Sequence, residues 1–376
     1  MIRVFVTDAD YKHTLGAVRD LGKSGYKVDV GSSRLRSASF YSKFVEKCFL
    51  YTHPFFDEKK FIRELYGIVK TRKYDVLLPI GYYSTIAVAR VKGKLEKFTK
   101  IPVADWQAVD IASKKDETIR LARKVHVPAP KTIFVDNTGK PEEKVSFKPI
   151  VLKGITGAGR VIYLKNTKHL DKEIKKFHNQ FGEYPIIQEY IPGEGFGFFA
   201  LFNKGKPRAI FSHRRIREFP ATGGPSTSAM SYYDPKLKEY GLRILRALNW
   251  HGVAMVEFRK DYRDGEYKIM EINPKFWGSL DLAIASGVRF PYLACKMSID
   301  GDISPVFTYK VGLRFTWPFP DDAQHVISRP SDILRFIHDI LSPRVRKNIM
   351  IKDIKPNLIQ LVLTLNKIKI AVKKRK

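Results

Sequence analysis

Glu271, Asn273 and Lys275 stand two residues apart in the run EINPKFWGS, directly after the apolar YKIM. Successive side chains of a strand point to opposite faces, so these three share one face. A carboxylate, an amide and a cation make a poor core face. They suit a divalent cation with phosphates, because hard cations take oxygen ligands. A solvated edge strand could carry the same residues. A second carboxylate, Glu257 in GVAMVEFR, lies across a predicted hairpin whose turn falls near Asp264–Gly265. If Glu257 faces the Glu271 strand, the carboxylates repel unless a cation lies between them.

Three further stretches carry groups that handle anions. VLKGITGAGR puts Lys153 at a strand end, followed by Gly154, Gly157 and Gly159, so the backbone could fold over phosphates. Its glycine spacing approaches a P-loop. Arg160 and Val161 then stand where Lys and Ser/Thr are needed, which excludes that motif. IIQEYIPGEG is an apolar strand running into EYIPGE, whose backbone could pair an adenine while Glu194 accepts from ribose hydroxyls. HRRIREFPATGGPSTS offers His213, Arg214, Arg215 and Arg217 before the flexible TGGPSTS with Gly223 and Gly224, and guanidinium forks suit phosphate or carboxylate. A hairpin turn, a plain strand and a solvated basic strand are the bland readings of these three stretches. No Ser/His/Asp or Cys/His arrangement stands out.

The elements that must position these groups fall into two styles. IRVFVTD, YKVDVGSS and YDVLLPIG read as buried strands alternating with amphipathic helices, which argues for an open parallel sheet with crossover helices. Its first turn lacks the glycine fingerprint of dinucleotide binding. From SKKDETIRLARK onward the pattern changes to α+β. Ser113 is placed to cap a helix, and hairpins are predicted around NKGK and near Asp264–Gly265. The expected boundaries are 1–108 for the α/β domain, 109–304 for the α+β part, and 305–376 for a basic, helical C-terminal segment.

At 376 residues and 44% hydrophobic composition the chain can bury substantial cores. Two cysteines support neither a disulfide framework nor a metal cluster. The N-terminus lacks the features of a signal peptide, and no apolar run reaches the length of a membrane span. The expectation is a cytoplasmic protein. The net charge of +30 points to anionic partners, although a hot-living organism would produce a similar balance.

Taken in order, Lys115 in KKDETIRLA, VPAPKT, Lys153 with GITGAG, QEYIPGEG, RRIREFPATGGPS, Glu257 and EINPKFWGSLDLAIASGV resemble the ATP-grasp superfamily. The resemblance covers about residues 1–300 and is nearest to carboxylate–amine ligases related to carbamoyl-phosphate synthase and D-alanine–D-alanine ligase. It implies a pre-ATP-grasp α/β domain followed by a lid subdomain near 113–188 and a central subdomain near 189–304. ATP would lie between the subdomains. Lys115 and Lys153 would contact its phosphates under the mobile 154–159 loop, with Gln188 to Ile191 at the adenine and Glu194 near the ribose. Glu257, Glu271 and Asn273 would hold Mg²⁺ or Mn²⁺. Lys275 and Arg215 would neutralise the transferring phosphoryl group. Arg214, Arg217, Gly223 and Gly224 would bind the carboxylate substrate. Lys275 departs from the arginine that related ligases often carry, and lysine is a point charge without a bidentate fork.

The resemblance thus implies an ADP-forming ligase that joins a carboxylate to an amine through an acyl phosphate. The rival is a basic nucleic-acid- or membrane-associated binding protein that keeps the fold. Residues 341–376 hold eleven Lys or Arg and one acid, Asp353. Leu358, Leu361, Val362, Leu365 and Ile368 recur at helical spacing there. That stripe is expected either to dock on the enzyme or to meet an anionic membrane or a polyanionic carrier. Nucleic acid fits it less well, because the tail is poor in aromatic and arginine side chains. A homodimer is a further expectation.

Overall fold

Val4, Val6, Val28, Val30, Val76 and Leu78 are all buried. They belong to the short strands Arg3–Val6, Lys27–Ser32 and Val76–Leu78, which with Val45–Leu50 form a four-stranded parallel sheet. Runs apolar on both faces are what a parallel sheet covered by helices requires. Helices Lys12–Lys23 and Glu58–Arg72 supply part of that cover. The chain is described here by a computed structural model, which defines residues 1–157, 160–220 and 223–373. The strands' carboxyl ends lead into Asp8 and into Gly81-Tyr82-Tyr83, the position where open α/β sheets place ligands.

A seven-stranded sheet forms the second layer. Its order is Tyr267–Asn273, Gly252–Asp261, Gly193–Asn203, Lys206–Glu218, Ser226–Ser231, Arg314–Thr316 and Val345–Lys347. All pairs are antiparallel except the last. The long central hairpin turns at Lys204 and Gly205, both with positive φ, as a tight two-residue turn demands. Alternation then sorts its aromatics. Phe196, Phe198 and Phe202 share a core with Leu237 and Leu245 of helix Pro235–Ala247. Phe199 and Phe211 pack in the other core with Trp277 and Phe290.

The third sheet is small and antiparallel: Thr132–Ile133, Ile186–Glu189, Ile150–Lys153 and Val161–Leu164, in that order. Helix Leu170–Phe181 covers it with Ile174 and Phe177. Helices Trp106–Ser113 and Lys115–Lys124 precede it with only Lys114 between them. Ser113 makes no N-terminal cap: its hydroxyl donates to the Asp110 carbonyl at 2.8 Å.

The segment after residue 304 adds Arg314–Thr316 and Val345–Lys347 to the central sheet. It also fastens to the N-terminal domain. Arg19 bonds Asp353, the Asn348 carbonyl and Asn357. Among the described residues no helix is long and apolar enough to cross a membrane.

Candidate functional site

Glu257 stands directly opposite Glu271 in the strand pairing, and Met255 opposite Asn273. Directly opposed side chains lie on one face of the sheet. That face forms the floor of a cavity of about 680 Å³, a usual size for a small-molecule site. The roof is the small sheet with Lys153, Val161 and Tyr163. One wall is the N-terminal domain with Tyr11, Tyr82 and Tyr83.

Each carboxylate on the floor meets a cation. The Arg215 Nη2 donates to Glu257 at 2.5 Å, and Lys115 Nζ lies 3.3 Å from Glu271. Asn273 Nδ2 donates to Glu271 at 3.0 Å. Burial raises Glu257, Arg215 opposes that shift, and the neighbouring Glu271 adds to it, leaving the group raised overall. Burial also acts to raise Glu271, but Lys115, Asn273 and Lys153 outweigh it and hold the group low. Two carboxylates and an amide oxygen fit a hard divalent cation that shares its remaining positions with phosphates or water. No cluster of three or more His, Cys, Asp or Glu suited to a metal occurs among the described residues.

Lys115 Nζ also donates to the Gly157 carbonyl at 2.7 Å, and Lys115 N–H to the Ile155 carbonyl at 3.0 Å. The glycine loop is thereby held against the start of helix Lys115–Lys124. Gly157 has φ +71°, where other residues are strained, while Gly159 lies outside the described residues. Lys153 donates to Gln188 at 2.6 Å. Burial lowers Lys153 to about 8, although Glu271 pulls the other way. Burial likewise lowers Lys275, with Glu271 and Asp8 opposing it.

The cavity gathers Lys115, Lys153, Gly157, Glu189, Tyr190, Ile191, Arg215, Gly223, Gly224, Glu257, Glu271, Asn273 and Lys275. Gly224 accepts from Arg215 through its carbonyl at 3.2 Å. A side chain there would strike the Phe219 carbonyl. Gly154 is placed beside the loop, its N–H bonded to the Arg160 carbonyl.

Four expected members do not join them. Gln188 is fully buried in the small sheet, bonded to Lys153 and Thr132, and so orients Lys153 from behind. Glu194 and Arg214 pair with each other at 3.6 Å and line a separate cavity of about 880 Å³. Arg217 is buried against Asp322 and Asp339. A bulge between Arg215 and Arg217 breaks the alternation, because Arg215 pairs Ala229 and Arg217 pairs Ser228. The two arginines therefore leave opposite faces of the strand.

Residues 184–317 match a family described as "ATP-grasp in the biosynthetic pathway with Ter operon". The structure superposes on a biotin carboxylase–β,γ-ATP complex from Campylobacter jejuni with a TM-score of 0.68 at 15% identity, covering 84% of this chain and 74% of that one. The chain has the ATP-grasp fold. An N5-carboxyaminoimidazole synthetase from Staphylococcus aureus complexed with ADP gives a TM-score of 0.66 at 13% identity over 90% of this chain and 87% of that one. An L-amino acid ligase from Bacillus licheniformis gives 0.62 at 15% over 81% and 78%. Among curated proteins, a D-aspartate ligase of Enterococcus faecium is 23% identical over 226 residues. That match takes in 54% of this chain and 53% of the ligase, so the chain spans about half the length of that relative.

Within this ATP-grasp fold several lining residues had no sequence signal of their own. Arg259 donates to the Ile191 and Gly193 carbonyls and shapes the turn into the central hairpin. Tyr11, Tyr82 and Tyr83 come from the N-terminal domain. Their signal was positional: they follow the carboxyl ends of parallel strands. His213 is fully buried beside Arg215. Burial first and Arg215 second keep its imidazole neutral, well below its usual range.

Proposed function

We propose that this chain is an ATP-dependent carboxylate–amine ligase that forms an amide bond and releases ADP and phosphate. The observation that carries the proposal is the opposed Glu257–Glu271 pair with Asn273 on the floor, faced by Lys115, Lys153, Arg215 and Lys275. The similarity to a D-aspartate ligase and an L-amino acid ligase favours an amino-acid substrate on one side of the bond.

Glu257, Glu271 and Asn273 would hold Mg²⁺ or Mn²⁺, which would supply charge neutralisation at the phosphates. Lys115 and Lys153 grip the phosphates of ATP, and Glu189 to Ile191 border its base. A carboxylate oxygen of the substrate attacks the γ-phosphorus, the bond to the β-phosphate oxygen breaks, and ADP leaves. Arg215 and Lys275 offset the charge on the phosphoryl oxygens during that transfer. The amine then attacks the acyl carbon, phosphate departs with the C–O electrons, and the nitrogen loses its proton. Tyr11, Tyr82 and Tyr83, with Gly223 and Gly224, border the space left for the acyl substrate. The test is ADP release with Mg²⁺–ATP across a panel of amino acids and amines, aspartate included. Turnover that requires one carboxylate and one amine together is the expected result. Nucleotide binding with no turnover on any pair would leave the fold without the activity.

Lys153 supplies a pH prediction. Its ammonium titrates near 8 in the free protein because it is buried. Only the charged form attracts phosphates, so Mg²⁺–ATP affinity is expected to fall as pH rises through about 8, by up to tenfold per unit. Lys153→Met should bind more weakly and lose that dependence. An unchanged profile in the variant would assign the titration elsewhere.

The partners this reading implies are a small-molecule carboxylate and an amine.

A further inference from the structure

The two C-terminal helices are inside out. Helix Lys355–Lys373 buries Asn357, Gln360 and Thr364 and exposes Leu358, Val362 and Leu365, each at least half exposed. Thr364 is only 1% exposed, whereas Leu358 one turn and a half away is 53% exposed. Helix Ile333–Leu341 repeats the pattern: Asp339 is buried, while Leu334 is 76% and Leu341 75% exposed. Ile351, between the helices, is 87% exposed. An amphipathic helix normally turns its apolar stripe to the core. Scattered apolar side chains on a surface need no explanation, but Leu358, Val362 and Leu365 at i, i+4 and i+7 form one continuous exposed stripe, and contiguous apolar patches mark interaction sites.

The polar groups on the inner side explain how the helices came to be inverted. Asp353 is bonded by Arg19, Ser42 and the Lys43 N–H, and Asn357 by Arg19. Asp339 is paired with Arg217 and Arg314. Asp332 is bonded by His325. Each of these polar anchors is satisfied, so the exposed leucines are not the by-product of a strained fit.

Charge selects the occupant. Between residues 327 and 365 there are seven Lys or Arg and three acids, Asp332, Asp339 and Asp353. All three acids are buried. The surface of this segment therefore shows cations and apolar groups but no carboxylate. We propose that it is a docking surface for an anionic lipid bilayer, with the apolar side chains in the interfacial layer and Arg335, Arg344, Lys352 and Lys355 at the headgroups. A second copy of the chain fits poorly, since a two-fold contact would press like charges together. Nucleic acid would leave the leucines without a partner. No described helix can span a bilayer, so the contact is interfacial. This inference does not depend on the ligase reading.

The test uses full-length protein, sedimented with vesicles of phosphatidylcholine alone and with about one-third phosphatidylglycerol. Truncation is unsuitable, because removing Asn357 would strand Arg19. Leu334→Gln with Leu341→Gln and Leu358→Gln with Leu365→Gln alter exposed positions only. The wild type is expected to bind the anionic vesicles alone, more weakly at high salt. Each leucine pair is expected to weaken binding by about tenfold, with Mg²⁺–ATP affinity unchanged in every variant. No binding to anionic vesicles, or equal binding by the leucine variants, overturns the proposal. So does a dimer that those same variants dissociate, because the face would then be a self-contact. A ligase assay that fails while vesicle binding holds would sink only the proposed activity.

Discussion

Glu271→Gln is expected to lower Mg²⁺–ATP turnover by about 10²–10³-fold while the protein stays folded. The substitution keeps the shape of the side chain and removes one negative charge from a floor that has only two carboxylates. In the absence of nucleotide, Glu271 is held by Lys115 and Asn273, so its loss leaves Lys115 bonded to the Gly157 carbonyl but without its anionic partner. The stability effect should be smaller than that of breaking a fully buried pair, because both side chains line the cavity and that of Glu271 is 28% exposed. The catalytic effect should be large, because a hard cation loses an anionic ligand beside the phosphates. Glu257→Gln should behave alike, leaving Arg215 with Glu218 as its remaining carboxylate partner. ADP release against Mg²⁺ concentration reads the effect, and thermal unfolding checks the fold. A variant that turns over at the wild-type rate with the same Mg²⁺ dependence would remove Glu271 from the metal site.

What could be read beforehand followed from short-range periodicity. The period of two fixed Glu271, Asn273 and Lys275 to one face, and one hairpin brought Glu257 opposite. Continuous apolar runs identified the parallel sheet for the same local reason. Misplacement came wherever the outcome depended on something one residue wide or far away in sequence. The bulge at residue 216 reversed Arg217, and Arg215 and Arg217 look equivalent to any reader counting by twos. Gln188 sits on an adenine-like strand yet turns inward to bond Lys153, a partner 35 residues away. Arg314–Thr316 and Val345–Lys347 have three residues each, too few to show a period, and so residues 305–376 read only as a basic, helical segment. Its helix was legible from the spacing of Leu358, Val362 and Leu365. Which face it buries was not, because that is decided by Arg19 at the other end of the chain.

Arg217 gives the largest expected loss of stability. Its Nε and Nη2 donate to the two oxygens of Asp322 at 2.9 and 2.6 Å, and Nη2 reaches Asp339 at 2.7 Å. Asp322 also accepts from Thr227 and Thr316 at 2.7 and 2.9 Å. All three charged side chains are at least 95% buried. The cluster ties strand Lys206–Glu218 to the turn at Asp322 and to helix Ile333–Leu341. Arg217→Ala would leave Asp322 as a buried carboxylate without its cation, and Asp339 with only Arg314 and the edge contact of His338. Breaking a buried pair from one side costs about 3–5 kcal/mol. Arg217→Lys keeps the charge but loses the fork, so about half that loss is expected. Unfolding of a chain with several sheets is not two-state, so the comparison is the shift of the urea midpoint between variants. Arg217→Lys remains informative if the alanine variant does not fold. Nucleotide affinity of the lysine variant should match the wild type, since Arg217 does not line the cavity above the Glu257–Glu271 floor. A wild-type midpoint with a selective loss of turnover would return Arg217 to the substrate site and place Asp322 among its positioning partners.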